Sequence, residues 1–79
     1  MSRVDPIVEL NNYLQSTGQL TALSWKDSKG GSAHSPQWNS VCKIYGREYG
    51  TGTGAQKHLA RGTAAAQALN ALRDEAGGG

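Results

Sequence analysis

The chain has 79 residues, with eight lysines and arginines against six aspartates and glutamates, for a net charge of +2. That length allows one domain with a thin core, which buries only ~60–65% of the surface of the unfolded chain. A composition of 37% apolar and 18% charged residues excludes a disordered tail, and no apolar run approaches the ~18 residues of a membrane span.

The first residues lack the apolar stretch of a signal peptide. A single cysteine, Cys42, excludes an internal disulfide. A small fold without staples suits a reducing, intracellular compartment, cytoplasmic or nuclear.

Asp5-Pro6 announces the first element. Aspartate caps free helical amides, and proline suits the first helical position. Ile7, Leu10 and Leu14 recur at helical spacing, Val8 and Tyr13 widen the apolar face, and Gly18 is a natural stop. A helix is predicted over about 6–16.

From Leu20 the period changes to two, with Leu23 and Trp25 turned inward along a first strand. The segment from Asp27 to Gln37 is rich in serine, glycine and proline and reads as a loop. A second strand puts Trp38, Ser40, Cys42 and Ile44 on one side and Asn39, Val41, Lys43 and Tyr45 on the other. Tyr45-Gly46 reads as a tight hairpin turn. Arg47-Glu48-Tyr49 starts a third strand, which the run Gly50-Thr51-Gly52-Thr53-Gly54 ends, opening a loop.

A long alanine-rich helix follows, from about Ala55 or Gln56 to Glu75. Its stripe Ala60, Ala64, Ala68 and Leu72 is narrow enough to approach a sheet closely. The predicted fold class is α+β: an αβββα order, a three-stranded antiparallel sheet, and both helices packed on one face. Residues 1–4 are expected as a disordered N-terminus, 5–75 as the domain, and 76–79 as a disordered glycine tail.

Three places hold candidate chemistry. Lys57, His58 and Arg61 fall within about 100° of each other around the last helix, on an azimuth that later turns apolar. This implies a helix start overhanging the sheet, where free amides and cations suit a phosphate. The glycines before it match neither a phosphate-binding Walker loop nor a dinucleotide fingerprint. They read as a flexible connector that lets the helix start approach a backbone phosphate. His34 lies in a polar loop.

Cys42, His34 and His58 have no metal-ligand spacing, so no metal or other cofactor is expected. The carboxylates show no paired acid and base, and no serine sits in a nucleophile elbow, so the chain is not expected to be an enzyme.

Three motifs in order resemble the double-stranded RNA-binding domain family over about residues 5–73. Pro6-Ile7-Val8-Glu9-Leu10-Asn11-Asn12-Tyr13-Leu14-Gln15 is similar to its first helix. Gly31-Ser32-Ala33-His34-Ser35-Pro36-Gln37-Trp38 is similar to its glycine-proline-x-histidine loop. The segment from Gly52 through Lys57-His58-Leu59-Ala60-Arg61 to Leu69 is similar to its last signature.

The resemblance implies an αβββα fold and a surface with three patches. Helix 1 and the loop between the first two strands would touch successive minor grooves. The start of the last helix would bridge the intervening phosphates, over ~16 base pairs and largely without sequence readout. By resemblance the RNA-binding residues are Asp5, Glu9 and Asn12 from the first helix, His34 from the loop, and Gln56, Lys57, His58 and Arg61 from the last helix.

Departures are visible too. Asn12 stands for a glutamate, Ser32 for a loop proline, Gln56 for a serine and His58 for a lysine. Histidine carries little charge at neutral pH. The implied partner is double-stranded RNA. The alternative is a protein-pairing module with weak or lost RNA binding. It would join a second copy or another member of the family through helix 1 or the third-strand edge, Arg47 to Thr51.

Overall fold

In the computed structural model, which describes residues 5–77, Asp5 caps helix α1 (Pro6–Ser16). Its Oδ1 accepts from the Ile7 amide at 2.9 Å. Leu10 and Leu14, one turn apart, are fully buried, with Ile7 and Tyr13 flanking them. After a 3₁₀ turn at Leu20–Ala22 come three strands, β1 (Leu23–Gly31), β2 (Pro36–Ile44) and β3 (Arg47–Gly54), and then helix α2 (Lys57–Gly77). The sheet is antiparallel in the order β1-β2-β3. Both helices cover the same face of it, so the αβββα arrangement is as expected. Residues 1–4 and 78–79, expected to be disordered, lie outside the described residues.

The core forms where three apolar stripes meet. α1 supplies Leu10 and Leu14, β2 supplies Cys42 and Ile44, and α2 supplies Ala64, Ala65, Ala68, Leu69 and Leu72. Leu23, Trp25 and Tyr49 pack at its margin. Tyr45 and Gly46 both take positive φ, 55° and 76°. That pair of left-handed residues matches the twist of the strands it joins.

Four differences from the sequence-based expectation have physical causes. Leu20–Ala22 is a 3₁₀ turn, closed by the Ala22 amide on the Gln19 carbonyl at 3.0 Å, so β1 starts only at Leu23. The predicted loop from Asp27 to Gln37 is mostly strand. Pairing continues from Asp27↔Ser40 to Gly31↔Pro36, which leaves only residues 32–35 as the loop. Partners across the hairpin override the local turn preference of serine and glycine.

The glycine run is not a connector either: it is β3, with Gly50 and Gly52 fully under α2. A methyl group at Gly50 would overlap the Ala64 carbonyl oxygen and lie 2.7 Å from the Ala68 nitrogen. These glycines exist to let two backbones touch, and the alanine stripe of α2 is the other half of that contact. Finally, α2 starts at Lys57 and runs through Gly77, two residues beyond the expected end. Gln56 precedes the helix, and its carbonyl accepts from the Leu59 and Ala60 amides.

Cys42 is fully buried, and burial pushes its thiol up to about 11. Reaction needs the thiolate. At pH 8 an alkylating reagent should therefore label Cys42 far more slowly in the native chain than in urea. Equal labelling rates would contradict the core packing. Among the described residues, no helix is long and apolar enough to cross a membrane.

Candidate nucleic-acid interface

Strand alternation carries the inner face of the sheet past the core. After Leu23 and Trp25, β1 presents Asp27 and Lys29 on that face, and β2 presents Ser40 and Trp38 opposite them. α2 changes character at the same level. Its inward azimuth, held by Ala64, Ala68 and Leu72 over the core, is held by Arg61 and then Lys57 toward its start. Polar helix therefore meets polar sheet. The expectation of a helix start overhanging the sheet is corrected here: Lys57 and Arg61 lie on sheet residues.

Arg61 is clasped. Its Nε donates to both Asp27 carboxylate oxygens, at 3.1 and 3.2 Å, and its terminal nitrogen makes a second ion-paired contact to Oδ2. The guanidinium also lies over Trp25, 5.3 Å from the ring centroid. The Ser40 hydroxyl donates to Asp27 Oδ1 at 2.7 Å. The hydrogen bonds from Arg61 hold the Asp27 carboxyl below the usual carboxylate range, and those same bonds raise the guanidinium in turn. Much of the Arg61 charge is offset within the fold.

Lys57 takes a different position. Its ammonium lies 5.3 Å from the centre of the Trp38 ring. Lys29 approaches the same ring at 5.8 Å. His58, one residue on from Lys57, faces away from Trp38. It lines a largely apolar cleft of about 480 Å³ between the helices, together with Asp5, Ile7, Leu59 and Thr63. Gln56 is exposed at the helix start.

His34 is exposed in the hairpin loop. The Ser35 amide donates to the Ser32 hydroxyl at 3.1 Å, so the serine standing for a loop proline closes the turn itself. Trp38 pairs with Gly54 on one side and Lys29 on the other, and the hairpin continues two pairs further to Gly31↔Pro36. The loop therefore projects beyond the end of β3, at the end of the sheet where α2 begins.

On α1, Asp5, Glu9 and Asn12 fall within about 60° around the helix axis, on the side opposite Leu10 and Leu14. Their availability differs. Asp5 is engaged as the helix cap, and Glu9 Oε2 lies 3.8 Å from the Arg73 guanidinium. Asn12 is exposed and makes no side-chain hydrogen bond among the described residues.

Sequence reasoning missed Asp27, Lys29 and Trp38 as parts of this face. The available signal was the Leu23–Trp25 alternation, which continues through positions 27 and 29.

The fold and this basic, aromatic face define a small nucleic-acid-binding α+β domain. Residues 6–72 match the family described as Double-stranded RNA binding motif, and the chain belongs to that family. Binding of double-stranded RNA is the general property that membership brings, and the motif is a binding motif rather than a catalytic one. A search of curated proteins returns no match.

Proposed function

We propose that this chain binds duplex RNA by its A-form shape, through 2′-hydroxyl and phosphate contacts and largely without sequence readout. The observation that carries this reading is the shared end of the sheet. The His34 loop and the Lys57 start of α2 both emerge there. A side chain that donates and accepts suits ribose hydroxyls in a minor groove, and a cation suits the phosphates across the adjoining major groove. Asn12 extends the surface along α1, with Gln56 and His58 beside Lys57 and with Asp5 and Glu9 at its margin. Arg61 joins it with its charge already partly offset.

A pairing role through the third-strand edge draws less support. The Thr51 amide on that edge donates to the Gln67 side chain at 3.1 Å, which occupies one of the groups an added strand would need. An intracellular setting accords with the proposed RNA partner and with a small fold whose single cysteine, Cys42, is free and buried.

Titration against a 20-pair duplex RNA, the matching duplex DNA and single-stranded RNA tests the reading. Micromolar binding to duplex RNA is expected, steeply weakened by salt, with duplex DNA bound at least ten-fold more weakly. Lys57→Ala should reduce RNA affinity about ten-fold, the equivalent of one lost charge-assisted contact. Equal affinity for duplex DNA would refute recognition by A-form shape.

A further inference from the structure

We infer that Lys29 and Lys57, arranged around Trp38, form the phosphate clamp of this chain, and that Lys29 is an RNA-contacting residue in its own right. The inference rests on the duplex-RNA reading above and names the cations that serve it.

Three cations and one carboxylate share the polar end of the sheet's inner face: Lys29, Lys57, Arg61 and Asp27. Asp27 is saturated, because Arg61 donates to both its oxygens and the Ser40 hydroxyl donates to one of them. Among the described residues neither lysine has an ion-pair partner. The positive charge left to face a ligand is therefore that of Lys29 and Lys57.

Position follows from the aromatic ring. Both ammonium groups lie within the ~6 Å at which an indole face attracts a cation. Lysine is long and loses much rotamer freedom when it grips a phosphate. A ring that already gathers two such side chains reduces that loss and keeps both cations at one end of the sheet. Trp38 is thus a positioning residue.

Location agrees. Lys29 also lines the polar depression at the hairpin tip, with Ser32, Ala33 and Pro36. It stands between the His34 loop and the start of α2, where a minor-groove contact gives way to a phosphate contact. Lys26, three residues earlier on the same strand, falls on the opposite face of the sheet and provides a matched control.

The test is the dependence of duplex-RNA affinity on salt for the full chain, with folding of each variant checked by circular dichroism. Each phosphate neutralised contributes a little under one to the slope of log affinity against log salt. Lys29→Ala is expected to flatten the slope by about that amount and to weaken binding about three- to ten-fold at 0.1 M salt, with the about ten-fold loss of Lys57→Ala at the upper end of that range. Lys26→Ala should leave the slope unchanged. Trp38→Phe should keep near-parental binding, while Trp38→Leu should weaken it with the fold retained.

If the parent chain binds duplex RNA and Lys29→Ala matches it in affinity and slope, the clamp is wrong and the duplex-RNA reading stands. Equal losses in Lys26→Ala and Lys29→Ala would also overturn it, by showing a general charge effect. A parent chain without affinity for duplex RNA removes both.

Discussion

Gly52→Ala is expected to be severely damaging, costing on the order of 3 kcal/mol or abolishing cooperative folding. The added carbon would overlap the Ala60 carbonyl oxygen, and it would lie 2.6 Å from the Ala64 nitrogen and 2.7 Å from the Thr63 Cβ. Two of these neighbours are backbone atoms inside a helix, which cannot swing aside. Relief requires α2 to lift from β3, and that opens the contact on which the alanine stripe depends. For a domain of this size ~1 kcal/mol corresponds to ~4–8 °C, so Tm should fall by about 12 °C or more.

The same substitution at Gly62 should do the reverse. Gly62 is inside α2, and a methyl group added there would meet nothing within 4 Å, so alanine adds helix propensity worth about 0.5–1 kcal/mol. Thermal unfolding of both variants checks the pair. A Gly52→Ala chain as stable as the parent would mean that helix and sheet are not in backbone contact.

Asp27→Asn is expected to have opposite effects on stability and on RNA binding. In the parent, Asp27 joins β1 to α2 through Arg61 and to β2 through Ser40, with its side chain only 13% exposed. Losing the carboxylate leaves Arg61 partly desolvated without its anion, at a cost of about 1–3 kcal/mol near pH 7. It also releases a cation beside Lys57, so duplex-RNA affinity should rise, with a salt slope steeper by a little under one.

The pH dependence follows from the direction of the Asp27 shift. Its carboxyl titrates lower in the folded chain than in the unfolded one, chiefly through hydrogen bonds from Arg61. Its contribution is therefore complete above the unfolded value of ~4 and is lost as pH falls through the folded value. Stability curves of parent and variant should differ most near neutrality and converge in acid. Parallel curves down to pH 2 would show that the pair does not support the fold, and unchanged RNA affinity would show that Arg61 is not held back by Asp27.

The hairpin segment and the basic stripe show how far residue patterns carry. Leu10 and Leu14, or Cys42 and Ile44, announce their burial by spacing alone, because one helical turn or one strand repeat fixes which way each points. The Tyr45-Gly46 turn is equally local. The three motifs around Asn12, His34 and Lys57 were legible for the same reason, since each lies within a short run of chain. Arg61 was legible as a cation beside Lys57, but its partner Asp27 is 34 residues away in the sequence. No local pattern distinguishes a free arginine from a clasped one.

What the sequence by itself determined is the order of elements, the inward side of both helices and of the apolar stretches of the first two strands, and the family to which the chain belongs. All of these follow from periodicity, turn chemistry and motif order over a few residues. Only the tertiary structure decided that Asp27 to Gly31 is strand, that Gly50 and Gly52 form a bed for a helix, and that Trp38 gathers Lys29 and Lys57. Those outcomes depend on which backbones lie against each other. A glycine-rich segment or a lysine in a polar stretch suits a loop as well as a strand until a partner satisfies its amides and surrounds its charge.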